Sequence, residues 1–273
     1  MASIQDIRNI VLLGHGGAGK TSLAESILHT TGMTNRLGVI EDKSTVCDYD
    51  EKEKERGNSI HSSVAYSEYE GKHVNLIDTP GYPDFIGAAL QSIPGGDTGI
   101  IVISAAAGIE VNTRKLYAAA KNMDKPRIIV INKIDADNID IPDLINSIRE
   151  TFGSECRCAN LPAEDNKTII DIVSNGQGQS PVMDVEQAHM DLLETVIEAD
   201  DELMEKYLGG EEITPEQLAG VFGKAMIEGV VVPIVFTNAK DEIGTKELLD
   251  LIVKTAPSPD KAKPAVLIKK EET

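Results

Sequence analysis

Eight consecutive residues, Gly14-His15-Gly16-Gly17-Ala18-Gly19-Lys20-Thr21, combine the residue types that hold a chain of phosphates. They fit the spacing G-x-x-x-x-G-K-[ST]. Glycines let successive backbone N–H groups turn inward around phosphate oxygens, and a helix starting at Lys20 adds a dipole that favours negative charge. In such a loop Lys20 reaches the β- and γ-phosphates and the Thr21 hydroxyl ligates Mg²⁺, with Ser22 next in line. The plain alternative is a Gly-rich turn with no ligand. Context argues against it, because the loop joins an apolar strand to a helix.

Two further segments carry chemistry. Asp78-Thr79-Pro80-Gly81 follows an apolar run ending at Ile77. A carboxylate at Asp78 can hold Mg²⁺, usually through a water, and the Gly81 amide can approach a γ-phosphate because no side chain intervenes. Alone, this segment reads equally well as a helix cap or turn. Asn132-Lys133-Ile134-Asp135 follows the run Ile128 to Ile131. The Asp135 carboxylate can accept from guanine N1–H and the exocyclic amine, a donor pair that adenine lacks, so a site built around it rejects adenine. Lys133 can lie over the base and Asn132 can tie segments together.

The elements that must position these residues follow from periodicity. Asn9 to Leu13 reads as a buried strand, and Lys20 to Thr31 as a helix with Leu23, Ile27 and Leu28 on one side. Thr34 to Asn58 is polar and aperiodic and reads as a long mobile loop. Ser62 to Tyr69 and Lys72 to Ile77 flank Glu70-Gly71, giving an antiparallel hairpin. Asp84 to Ser92, Asn112 to Met123 and Ile141 to Phe152 read as helices. Thr98 to Ala105, Arg127 to Asn132 and Val230 to Phe236 read as strands, and Thr245 to Thr255 as a last helix. Strand and helix alternate, so the fold class is α/β: a P-loop NTPase with a mostly parallel sheet flanked by helices. All three motifs then fall on the carboxyl edge of one sheet, where such folds bind ligands.

Between 153 and 229 the pattern breaks. This stretch holds 17 Asp and Glu against 4 Lys and Arg, which marks a smaller acidic α+β insert before the last core strand. The expected domains are a nucleotide-binding core at 1–152 and 230–259, the insert at 153–229, and a Pro- and Lys-rich linker at 260–273.

Taken together the three motifs resemble the signature set of translational GTPases. Glu55-Arg56-Gly57-Asn58-Ser59-Ile60 and the insert preceding Pro233-Ile234-Val235-Phe236 narrow the resemblance to the elongation factor G family and its divergent bacterial paralogues, over residues 8 to 259. The resemblance implies GTP and GDP as ligands with Mg²⁺. It implies that Ser59 replaces a switch threonine in the Mg²⁺ shell, beside Thr21 and Asp78. It also implies that Thr237-Asn238-Ala239 forms the last base-contacting loop, with the Ala239 amide facing the guanine carbonyl. Lys20, Gly81 and Tyr82 are the expected catalytic positions. Switch segments at Thr34 to Ser59 and Gly81 to Gln91 would order around the γ-phosphate. Family members continue into several further domains, so the chain is expected to be a fragment whose GTPase part ends near Pro257-Ser258-Pro259. Its implied partners are the ribosome, through the intact factor, and a ribosomal stalk protein meeting the insert.

Two positions depart from the family. Gly17 stands where an Asp is usual, which removes a negative charge near the phosphates. Tyr82 stands where a His usually positions the attacking water. A phenol, with a pKa of about 10, is a poor substitute at neutral pH. No local Arg stands out as a built-in arginine finger, although Arg56 is a candidate. These departures leave open a slow GTPase stimulated by ribosomes, a GTP-dependent binding switch with little hydrolysis, and a ribosome-protection factor.

Bulk properties bound the rest. With 273 residues and 41% hydrophobic residues, but no Trp, the core must be aliphatic. A net charge of -19 excludes binding of bare nucleic acid through the global field. Cys47, Cys156 and Cys158 lack any framework spacing, so a reducing compartment and a cytoplasmic monomer are expected. No apolar run reaches the ~18 residues of a membrane span. The remaining histidines, His29, His61, His73 and His189, have no partner pattern.

Overall fold

Four apolar runs become buried parallel strands: β1 (Ile7–Gly14), β4 (Thr98–Ser104), β5 (Arg127–Asn132) and β9 (Val232–Thr237). Every residue of β4, β5 and β9 is buried, the signature of a sheet covered on both faces. The computed structural model describes residues 3–263 apart from 166, 175 and 212. Residues 264–273, most of the expected linker, lie outside the described residues.

The main sheet also contains β2 (Ser63–Tyr69), β3 (Lys72–Asp78) and β6 (Cys156–Cys158), in the order β2-β3-β1-β4-β5-β9-β6. Only β2 runs antiparallel, as the hairpin partner of β3. Its turn uses Glu70 at φ 44° and Gly71 at φ 74°, the left-handed pair that matches strand twist. From β1 the chain crosses through α1 (Lys20–Thr30) to β3, then returns past β1 through α3 (Ile86–Ser92) to β4. Right-handed crossovers in opposite directions put these helices on opposite faces and open a crevice at the carboxyl end of β1. α4 (Val111–Asn122) packs beside α3, and α9 (Thr245–Thr255) beside α1.

Three expectations change. The expected loop before Ser59 contains a helix, α2 (Glu51–Arg56). It is closed by a capping box between Asp50 and Glu53 and stopped by Gly57 at φ 64°. Its sequence, Glu-Lys-Glu-Lys-Glu-Arg, has no apolar period because Glu53 is its one buried residue. The helix expected from Asp84 starts with a 3₁₀ turn, Pro83–Phe85, before α3.

The third change concerns the insert. After α5 (Ile141–Phe152), Cys156–Cys158 pairs in parallel with β9 and forms the sheet's far edge. The composition shift at 153 therefore falls inside the sheet. The rest of the insert is a small hairpin, β7 (Asn160–Pro162) with β8 (Ile169–Asp171), and three helices: α6 (Val185–Ile197), α7 (Asp201–Leu208) and α8 (Pro215–Glu228). Leu192, Val196, Phe222 and Met226 from these helices join the same buried apolar cluster as the sheet. α8 packs on both α6 and α9.

Candidate functional site

At the end of β1 the backbone turns sharply. Gly14 has φ 147°, and a Cβ there would lie 2.3 Å from the Val102 carbonyl oxygen, so only glycine fits. Gly17 and Gly19 also have positive φ, and α1 begins at Lys20. Lys20 is buried and reaches back across its own loop. Its Nζ donates to the carbonyls of Gly14 (3.2 Å) and His15 (2.9 Å). Burial pushes its pKa down to about 8, against the pull of Asp78 and Asp48. An incoming phosphate would raise it again.

Beside this ammonium lies a chain of four side chains. Thr21 Oγ1 donates to Asp78 Oδ2 (2.6 Å), and Ser59 Oγ donates to Asp48 Oδ1 (2.7 Å). The two hydroxyl oxygens stand 3.1 Å apart. With both protons given to carboxylates, each oxygen turns lone pairs towards the other. That spacing is close to the edge of a Mg²⁺ octahedron, roughly 2.9 Å for ligands at 2.0–2.1 Å. The remaining oxygen of Asp78, Oδ1, is buried without a hydrogen-bond partner. Burial raises the Asp78 pKa to about 6, while Thr21 and Lys20 draw it down. Burial also raises the Asp48 carboxyl. Among the described residues no cluster of three or more His, Cys, Asp or Glu could hold a metal by itself. The donor set therefore fits a Mg²⁺ that shares its shell with phosphate oxygens and water.

The far end of the cavity is built from the ends of β5 and β9, which pair at Asn132 and Thr237. Asn132 is buried and ties three segments together. Its Nδ2 donates to the Ala18 carbonyl (3.1 Å), and its Oδ1 accepts from the Thr237 hydroxyl (3.2 Å) and the Ala239 amide (3.0 Å). The Ala239 amide, expected to face a guanine carbonyl, is thus engaged by Asn132. Lys133, at φ 63°, extends back to the Gly17 carbonyl (2.8 Å) and bridges the two ends of the site. Asp135 is exposed and lines the cavity. Ile134 is buried in the core instead. Asn238 bonds to Asp241 (2.8 Å) and shapes the last loop.

One cavity of about 370 Å³ joins both ends. Gly16, Gly17, Gly19, Lys20, Thr21 and Ser22 line it on one side, and Asn132, Lys133, Asp135, Asn238 and Ala239 on the other. Gly81 fits so closely that a Cβ would lie 2.4 Å from both Lys20 Nζ and the His15 carbonyl oxygen. Tyr82, 42% exposed, also lines the cavity, and its ring covers Gly16, where a Cβ would come within 3.1 Å. Some expected residues face elsewhere. The Thr79 hydroxyl bonds the Leu12 carbonyl (2.6 Å), tying β3 to β1, and Pro80 is buried in the turn. The His15 ring is buried against Thr113 (3.0 Å). Arg56 is exposed on α2 and is not among the residues lining the cavity.

Leu37 to Glu41 and Asp48, within the expected switch segment Thr34 to Ser59 but not singled out in it, line the cavity. Residues that sequence reasoning did not pick complete the site: Ala136 and Lys240 also line it, and Asn112 on α4 holds the Gly81 carbonyl (3.1 Å). Asp48, eleven residues before Ser59, sits in an aperiodic stretch that gives no signal of burial.

A phosphate cradle, two lone-pair-bearing hydroxyls beside buried acids, and an acid at the base end define a P-loop guanine-nucleotide-binding domain. The family model described as the elongation factor Tu GTP binding domain matches residues 5–258. The chain is 32% identical over 268 residues to an elongation factor G-like protein of Mycobacterium tuberculosis, covering 93% of this chain and 37% of that protein. It is 31% identical over 274 residues to an elongation factor G-like protein of Thermotoga maritima, covering 96% and 39%. A crystal structure of a protein from Thermus thermophilus superposes with a TM-score of 0.86 at 33% identity, covering 94% of this chain and 41% of that one. The chain belongs to the elongation factor G family of translational GTPases. It spans about two fifths of the length of these relatives.

Proposed function

We propose that this domain binds GTP with Mg²⁺ and hydrolyses it to GDP and phosphate, slowly alone and faster on the ribosome, as the switch of a factor acting in translocation. The observation that carries this is the single cavity with Lys20 at one end and Asp135 at the other. Glycine amides and Lys20 bind the phosphates, and Asp135 selects the base. Thr21, Ser59 and Asp78 would hold Mg²⁺, which when bound offsets phosphate charge. Attack by water on the γ-phosphorus breaks its bond to the β-phosphate bridging oxygen, and the leaving charge stays on GDP beside Lys20. The Gly81 amide meets the γ-phosphate. The core at 1–158 and 230–259, which includes β6 of the main sheet, carries this chemistry, with 159–229 as an insert whose acidic helices offer a surface to a stalk protein. We assign the protein to the cytoplasm as a monomer; among the described residues no helix is long and apolar enough to cross a membrane. Competition of GTP, ATP and XTP for the site tests the base assignment. Asp135→Asn should move preference from GTP to XTP, and equal affinity of the wild type for ATP would sink it.

A second reading is favoured by Tyr82, which offers a phenol where imidazole would position water. In that reading GTP is retained and the GTP form docks a partner with little hydrolysis. Single-turnover assays separate the two. Stimulation by ribosomes supports the enzyme, whereas an unchanged rate together with a faster Tyr82→His variant supports the switch.

A further inference from the structure

Resting on the nucleotide-binding reading, we propose that Glu25 is a positioning residue that latches the segment 37–48 closed over the cavity and thereby sets Asp48 and Ser59 for the triphosphate state. Glu25 lies on α1, one turn after Thr21, so the two share a helix face. It is fully buried. Its Oε1 accepts from the backbone N–H groups of Val46 (2.7 Å) and Cys47 (3.0 Å). The next residue is Asp48, which accepts from the Ser59 hydroxyl. The other oxygen, Oε2, is buried without a hydrogen-bond partner and faces Gly38, where a Cβ would lie 2.2 Å from it. Gly38 itself lines the nucleotide cavity.

A carboxylate at this position is costly if it only fills space. Its buried neighbours on α1 include Leu23, Ala24, Ile27 and Leu28, and an apolar side chain would pack there without the desolvation penalty. What the acid supplies is an acceptor for two N–H groups of a segment that has little secondary structure of its own. Because Thr21 and Glu25 ride on one rigid helix, the latch fixes the segment in register with the phosphate end. Glu53 does the same from the other side of Ser59. Its Oε1 accepts from Ile60 (2.8 Å) and His61 (2.9 Å). Ser59 is therefore held between two clamped stretches of backbone.

The test uses the 273-residue chain, fluorescent GDP, a non-hydrolysable GTP analogue and limited trypsin digestion at Lys43. In Glu25→Ala, GDP affinity should stay within about twofold, since the phosphate loop and Asp135 are untouched. Analogue affinity should fall about tenfold, the effect of two lost hydrogen bonds on one nucleotide state. Bound analogue should no longer protect Lys43. Glu25→Gln keeps an acceptor for both N–H groups and should stay close to wild type in all three readouts. Gly38→Ala leaves the acid intact but places a methyl against Oε2, and it should shift analogue affinity and protection in the same direction as Glu25→Ala. This gives a second reading if the Glu25→Ala variant does not fold. Unchanged analogue affinity and protection in the variants, or equal loss of GDP and analogue, would overturn the latch. A wild-type chain that binds neither nucleotide would instead overturn the reading beneath it.

Discussion

Replacing Asn132 by Ala should destabilise the nucleotide-free domain far more than replacing Asp135, although the two lie three residues apart. Asn132 is 1% exposed and makes three hydrogen bonds, to Ala18, Thr237 and Ala239. Truncation leaves one carbonyl, one hydroxyl and one amide without that partner, and each buried loss costs about 1–3 kcal/mol. The adjoining cavity lets water reach the freed groups, so the low end applies, and the sum is about 3 kcal/mol. With a urea m-value of about 3 kcal/mol/M, the unfolding midpoint should fall by about 1 M. Asp135 is exposed, so Asp135→Ala should stay within about 0.5 kcal/mol. Far-UV circular dichroism suits the measurement because the chain has no Trp. Equal midpoints for Asn132→Ala and wild type, or equal losses for the two variants, would refute the view that Asn132 braces the site while Asp135 reads the base.

Three other outcomes follow from the geometry. Gly14→Ala should abolish nucleotide binding and lower the melting temperature, because its Cβ overlaps the Val102 carbonyl and φ 147° disfavours any side chain; a variant with wild-type affinity would contradict this. The folded pKa of Asp78, about 6, lies above its ordinary 3.8. Between those values the folded state holds more protons than the unfolded one, so this group's contribution is fully present below about pH 4 and lost as pH rises through about 6, by up to about 3 kcal/mol. Urea midpoints of the nucleotide-free protein from about pH 4 to 7 should show this component, and Asp78→Asn should remove it. Chelation of Mg²⁺ should weaken GTP binding in wild type but change little in the Asp78→Asn variant, read by nucleotide dissociation rates; equal sensitivity in both would count against the metal assignment.

Much of the architecture was legible because the decisive signals are local. Continuous apolar runs of Ile and Val betray β4, β5 and β9, and each of the three motifs follows a run directly, so strand ends fixed where the chemistry stands. Glu70-Gly71 announced its hairpin through backbone preference alone. What escaped notice depends on contacts between distant residues. α2 carries no apolar stripe, since its buried face is a single glutamate, Glu53. Cys156-Arg157-Cys158 is too short to show a period, and only its pairing with β9 reveals a strand. The Ala239 amide is engaged by Asn132, more than a hundred residues earlier. Asp48 and Glu25 look like ordinary surface acids in sequence, yet both are buried at the site.

These buried acids explain why the phosphate end needs its ligands. Glu25, Asp48, Glu53 and Asp78 are all buried, Asp48 lines the cavity proposed to take a polyanion, and the chain is already at -19. Glu53 and Glu25 are offset locally by backbone N–H groups. Asp48 and Asp78 instead accept from hydroxyls, which orient oxygens without supplying positive charge. Lys20 is the buried cation of the phosphate loop, and burial already weakens its hold on a proton. With a nucleotide bound, this one buried ammonium would be outweighed by two carboxylates and several phosphate charges, with Lys133 reaching the loop only from its exposed side, and Gly17 contributes no charge of either sign. A divalent cation held by Thr21 and Ser59, as proposed, would correct that imbalance. On the proposed function, the same imbalance would make the closed segment sensitive to the loss of a single phosphate. In the proposed cycle, loss of that charge would weaken the hold on Ser59, while the clamps at Glu25 and Glu53 would keep the flanking backbone ready to return.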